Sequence, residues 1–100
     1  MTITKTVNEN NINISIAGRL DAVTSVQLST ELDKIFAEGA FNLFLDLKGL
    51  EYISSAGLRI LLVAQKQVTS QGVKLELTGV KDSVKQVLDM TGFSSLLTIK

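Results

Sequence analysis

The chain contains no cysteine, no histidine, no proline and no tryptophan in 100 residues, and each absence removes a class of chemistry or structure. Without cysteine there is no disulfide framework and no thiolate. Without histidine the commonest metal ligand and general base is missing too. Zinc chemistry and a serine nucleophile activated by imidazole are argued against together, so no metal, no cofactor and no catalytic residue is expected. The lack of proline, with only seven glycines, leaves no room for long linkers or disordered tracts. An excess of charge of one sign is also absent. Ten basic and ten acidic residues cancel, and the cations are scattered from Lys5 to Lys100 instead of forming a stripe that could track phosphates. Direct nucleic-acid binding is therefore not expected. No apolar run approaches the roughly 20 residues that cross a bilayer, and the N-terminal MTITKTVNEN lacks a basic-then-apolar signal pattern. The expectation is a cytoplasmic protein with no membrane insertion.

What is present is ordinary globular material, 45% hydrophobic and 20% charged, and residues 1–100 read as a single domain around one core. Ile3, Lys5 and Val7 alternate with Thr4 and Thr6. After the turn-forming Asn8 to Asn11, Ile12, Ile14 and Ile16 alternate with Asn13, Ser15 and Ala17, so a β-hairpin with one wet face is expected, its second strand ending at Gly18. Leu28, Leu32, Ile35 and Phe36 fall on one helical stripe, with Thr24 and Gln27 spaced as a capping box and Gly39 placed as a C-cap. Phe41 to Leu47 reads as a buried strand followed by a turn at Lys48 and Gly49. A second helix follows from Ser55 to Ser70, with Leu58, Leu61, Leu62 and Val68 inward and Arg59, Lys66 and Gln67 outward. Val73, Leu75 and Leu77 mark a fourth strand. Asp82 is placed to cap a third helix carrying Val84, Val87 and Leu88 up to Gly92, and Leu96 to Ile99 make a short last strand. Two strand-helix-strand crossovers imply parallel pairing. The fold class is thus α/β, a mixed sheet of four to five strands with helices mainly on one face.

The segment EYISSAGLR, Glu51 to Arg59, carries the chemistry. It sets two hydroxyls, then Ala and Gly, at a strand-to-helix junction, where free N–H groups and the positive end of the helix dipole favour a capping hydroxyl and tolerate a negative charge. Ser55 is the residue singled out.

Four stretches together resemble the STAS family, the sulphate-transporter and anti-sigma-factor-antagonist domain, and specifically its stand-alone anti-sigma factor antagonists. They are GRLDAVTSVQL (Gly18 to Leu28), LFLDLKGL (Leu43 to Leu50), YISSAGLRILL (Tyr52 to Leu62) and LTGVKDSVKQVLDMTGF (Leu77 to Phe93). The resemblance implies the STAS fold and a protein that binds a kinase-type anti-sigma factor, thereby releasing a sigma factor, until serine phosphorylation switches it off. It also implies a phosphatase acting on the phosphoserine. Anchored on Gly57 and Leu58, the phosphoacceptor matches Ser55, the next position is Ala56, and the family's preceding aspartate is replaced by Ser54, which becomes a minor rival acceptor. Asp21 matches the family's aspartate in the loop beside the acceptor. Asp21, Thr24, Ser54, Ala56, Gly57, Leu58 and Arg59 are the candidate partner-binding set.

Each has a plainer reading beside this one. Asp21 could shape the turn before Thr24, Gly57 could permit close helix packing, Leu58 could be core, and Arg59 could be a solvated cation. Asp46 reads as a strand terminator and Phe44 as a candidate exposed patch. A constitutive scaffold subunit of a transporter or sensory complex is the competing function from within the family. A small-ligand or nucleotide-binding module is a third, although no phosphate-cradling glycine loop supports it.

Overall fold

A computed structural model describes residues Met1–Lys100 and begins with the hairpin: β1 (Thr2–Asn8) runs antiparallel to β2 (Asn11–Leu20). Then follow α1 (Thr24–Glu38), β3 (Asn42–Ile53), α2 (Ser55–Ser70), β4 (Leu75–Thr78), α3 (Asp82–Met90), a 3-10 turn (Phe93–Ser95) and β5 (Thr98–Ile99). The five strands lie in the sheet in chain order, with β2, β3, β4 and β5 mutually parallel.

Alternation explains the layering. Ile12, Ile14 and Ile16 of β2, Leu43, Leu45 and Leu47 of β3, and Leu75 and Leu77 of β4 are buried on one face. They join Leu28, Leu32 and Ile35 of α1, Leu58, Leu61, Ala64 and Val68 of α2, and Val84 and Leu88 of α3 in a single core cluster. Each such side chain contributes about 1.5–3 kcal/mol on burial, so a slip of one residue in any central strand would forfeit several at once. The intervening residues Asn13, Ser15, Phe44, Asp46, Glu76 and Thr78 lie on the opposite face, outside the core. Phe44 is half-buried there beneath Lys74, whose Nζ lies 5.5 Å from the ring centre, and is not a bare apolar patch.

Several local expectations need correction. The third strand does not stop at Leu47, and Lys48 and Gly49 are not a turn. Pairing with β2 jumps from Ser15↔Asp46 to Ala17↔Gly49 and from Gly18↔Leu50 to Arg19↔Tyr52. Each jump adds one residue to β3, a bulge that resets the alternation and keeps Leu50 and Ile53 inward. Asp46 therefore does not end the strand; its Oδ1 accepts the Lys48 N–H at 3.0 Å, within the first bulge. Gly18 likewise does not end β2. It sits at φ 106°, a conformation glycine adopts without strain, and the strand continues to Leu20. Since β4 pairs with β3 only as far as Asp46, the β2–β3 pair projects beyond the rest of the sheet as a two-stranded arm.

On the edge strand, Lys5 and Val7 are exposed although they pair with Ile14 and Ile12, and only Met1 and Ile3 pack against the core from that end. At the helix starts, Asp82 is the first residue of α3 and not its cap, since Lys81 takes that place without a side-chain bond. The capping box of α1 does not form either. Val23 occupies the cap position with helical angles and Thr24 is already inside the helix.

Candidate functional site

The projecting β2–β3 arm delivers two chain segments to one place: the Asp21–Val23 connection after β2 and the Ser54–Ser55 step after β3. A hydrogen bond from the Ser54 N–H to the Leu20 carbonyl (2.9 Å) ties them together. Ser54, not Ser55, is the N-cap of α2. Its backbone is extended (φ −92°, ψ 174°), its Oγ accepts the Gly57 N–H at 3.3 Å, and its carbonyl accepts the first helical bond from the Leu58 N–H at 2.9 Å. Ser55 is then the first residue of the helix, exposed, and its hydroxyl makes none of the chain's hydrogen bonds. With Ser54 occupied as the cap, the neighbouring hydroxyl is left free.

Gly57 and Leu58 belong to the interior. A Cβ on Gly57 would stand 2.8 and 2.9 Å from Leu20 Cγ and Cδ2 and 3.0 Å from Ile53 Cγ1, so the first turn of α2 lies against the strand ends only because position 57 has no side chain. Leu58 is 4% exposed and part of the core. Neither presents a side chain to a partner; both fix where Ser55, Ala56 and Arg59 stand.

Asp21 organises the other segment. Its Oδ1 accepts from the N–H groups of Val23 (3.0 Å) and Thr24 (3.0 Å), and its own N–H donates to Thr24 Oγ1 (2.9 Å). The Thr24 hydroxyl in turn donates to the Arg19 carbonyl at 2.7 Å. The start of α1 is thus capped from Asp21, three residues ahead of Thr24. The Thr24 N–H above all, with the Val23 N–H and the charge of Arg19 adding to it, holds the Asp21 carboxyl below its ordinary value of 3.8, although desolvation, the second-largest influence, pushes it up.

Between the two helices runs a cleft of about 430 Å³, lined among others by Ser25, Ser29 and Asp33 of α1 and by Ala56, Arg59 and Ile60 of α2. It adjoins Ser55 through Ala56. Arg59 is exposed and takes part in none of the ion pairs, which join Lys34 to Glu31, Lys48 to Asp46, Lys74 to Glu76 and Lys85 to Asp89. Val23 (80% exposed) and Val26 (64%) add apolar surface from the α1 side. No three acidic side chains converge as a metal site would require.

One pair at this end was not nominated from the sequence. The Arg19 guanidinium stacks 4.1 Å from the centre of the Tyr52 ring, because the second bulge of β3 places the two opposite each other. Their 33-residue separation gives no local signal; only the strand register brings them together.

The STAS domain family model matches residues 2–100. The anti-sigma-B factor antagonist of Bacillus subtilis (strain 168) is 32% identical over 92 residues, covering 92% of this chain and 84% of that protein. The fold is that of the anti-sigma factor antagonist SpoIIAA in its unphosphorylated form, with TM-score 0.85 at 16% identity over 99% of this chain and 88% of that one. The phosphorylated form of the Bacillus cell fate determinant SpoIIAA superposes with TM-score 0.78 at 15% identity, over 99% of this chain and 91% of that one. No helix is long and apolar enough to cross a membrane. The match along almost the whole length, the 32% identical relative and the five-stranded sheet agree: this chain belongs to the STAS domain family.

Proposed function

We propose that this chain is an anti-sigma factor antagonist, a cytoplasmic binding protein that engages a kinase-type anti-sigma factor and is switched off by phosphorylation of Ser55, with a phosphatase restoring the active form. The observation that carries the reading is the division of labour between neighbouring serines: Ser54 caps α2 while the Ser55 hydroxyl is exposed and unbonded. Modifying Ser55 then breaks no hydrogen bond of the fold. The added charge, about −1.5 to −2, sits at the positive end of a 16-residue helix, where it is tolerated. The fold is kept and the surface changes. If docking covers Ser55, burying an unpaired dianion costs roughly 3–5 kcal/mol, by analogy with a broken buried ion pair. At 1.4 kcal/mol per decade this weakens binding on the order of 10² to 10³-fold.

The docking surface consists of Ala56 and Arg59 with the adjoining α1 side of the cleft, held in place by Asp21, Thr24, Ser54, Gly57 and Leu58. Ser54 stands where the resemblance places an aspartate. Both residue types cap helices well, so the exchange preserves the cap and removes a negative charge beside the acceptor. The named relatives support the reading through their own function, and the SpoIIAA pair through its two phosphorylation states.

The test is phosphotransfer from the kinase-type anti-sigma factor of the same genome with ATP, mapped by mass spectrometry. Label should appear on Ser55 and vanish in Ser55→Ala, which keeps its partner affinity, while the phosphorylated protein binds at least 10²-fold more weakly. Undiminished label on Ser55→Ala would move the acceptor to Ser54 or elsewhere. Equal affinity of the two forms would end the switch.

A further inference from the structure

Resting on the reading of Ser55 as the modified residue, we propose that Arg59 is the side chain that receives the phosphate, pairing with it one helical turn from its point of attachment. Residues four apart on a helix share a face, and helical side chains favour rotamers that lean toward the N-terminus, so the turn that holds Ser55 and Ala56 is within reach of the Arg59 side chain. Ala56 and Arg59 line the same cleft, and Ala56 next to Ser55 carries only a methyl group. Arg59 is exposed and takes part in no ion pair, and the Ser55 hydroxyl is unbonded, so neither group gives up a partner in forming the new contact. A guanidinium suits the task because its planar fork grips two phosphate oxygens at once, which an ammonium cannot do.

The surrounding charges are few. Asp33 lines the α1 side of the same cleft and forms no ion pair with Arg59. At the strand ends stand Asp21, committed to its loop hydrogen bonds, Arg19, stacked on Tyr52, and the exposed Glu51. The consequence for the switch is specific. Phosphorylation adds negative charge to the docking surface and, in the same event, withdraws from it the cation that an acidic partner group would meet.

The experiment uses the full chain with phosphoserine inserted at position 55 during translation, so no kinase is needed, and follows the second phosphate ionisation by ³¹P NMR at low salt. That ionisation ordinarily falls near 6. In Arg59→Gln its midpoint should rise by roughly 0.2 to 0.7, in Arg59→Lys by less, and in Lys66→Gln, remote along the helix, not at all. About 1 M salt should shrink the Arg59 effect. An unchanged midpoint in Arg59→Gln, or an equal rise in Lys66→Gln, overturns the assignment. The two readings fail separately: absence of kinase labelling on Ser55 sinks the function proposed above and leaves this titration standing, while equal midpoints sink the role of Arg59 with Ser55 labelling intact.

Discussion

Replacing Gly57 with alanine adds one methyl group where three carbon atoms already stand 2.8 to 3.0 Å away, against an ordinary carbon–carbon contact of about 3.5–4.0 Å. The obstructing atoms have little freedom to yield, since Leu20 is 0% and Ile53 3% exposed and one of the contacts is the branching Cγ of Leu20. Overpacking of this kind costs about 1–3 kcal/mol. Alanine's advantage over glycine in a helix interior, about 0.8–1 kcal/mol, acts in the opposite direction and is only partly realised in the first turn. Gly57→Ala should therefore destabilise the fold by about 1–2 kcal/mol, which for a domain of this size lowers Tm by roughly 4–16 °C. Urea denaturation should show a lower midpoint at an unchanged slope. Leu20→Ala is the decisive background: alone it costs roughly 2–5 kcal/mol, but it opens the space the new methyl needs, so the double mutant should reveal a coupling on the order of 1 kcal/mol. If Gly57→Ala matches the parent, or costs the same in both backgrounds, the contact with Leu20 does not govern how α2 meets the strands.

The assignment of the cap predicts a contrast between neighbours. Ser54→Ala should cost about 0.5–1 kcal/mol in urea denaturation, and Ser55→Ala should stay within about 0.5 kcal/mol of the parent; the reverse order would show that Ser55 caps α2. Asp21, held below its ordinary 3.8 in the fold, binds protons less readily than in the unfolded chain, so its contribution to stability is complete above about 3.8 and is lost as pH falls through the folded value. The stability gap between the parent and Asp21→Asn should then be larger at pH 7 than at pH 3, and a constant gap would refute it. At the hairpin, Glu9 takes φ 56°, a region that penalises a side chain, so Glu9→Gly should raise Tm by a few degrees, about 0.5 kcal/mol net of glycine's greater unfolded freedom. A lower Tm would mean that the Glu9 side chain compensates for its backbone.

The order of elements and the inward residues were readable because hydrophobic periodicity is local: Ile12, Ile14 and Ile16 announce a strand, and Leu28, Leu32 and Ile35 a helix, without reference to the rest of the chain. What could not be read depends on partners distant in sequence. The two bulges of β3 exist only relative to β2, so a period-two pattern that breaks after Leu47 looks like a strand end. The Arg19–Tyr52 stack follows from the same hidden register. At the site, the motif drew attention to Ser55, but the choice of Ser54 as cap was not legible, because two adjacent serines satisfy the same capping rule and backbone angles decide between them. Gly57 could be flagged as a close approach; that it approaches Leu20 and Ile53 required the fold.

The antiparallel first strand has a practical consequence for anyone instrumenting this protein. It returns Met1 to the arm: the Met1 Cα lies 3.3 Å from where a Cβ on Gly18 would stand, three residues before Asp21. An affinity tag or fluorescent fusion attached there emerges against the base of the β2–β3 arm, next to Gly18. The exposed Ser70, at the far end of α2, stands about 22 Å along the helix axis from Ser55. Since the chain offers no competing thiol, a cysteine placed there accepts a single dye at a distance suited to energy transfer from a labelled partner.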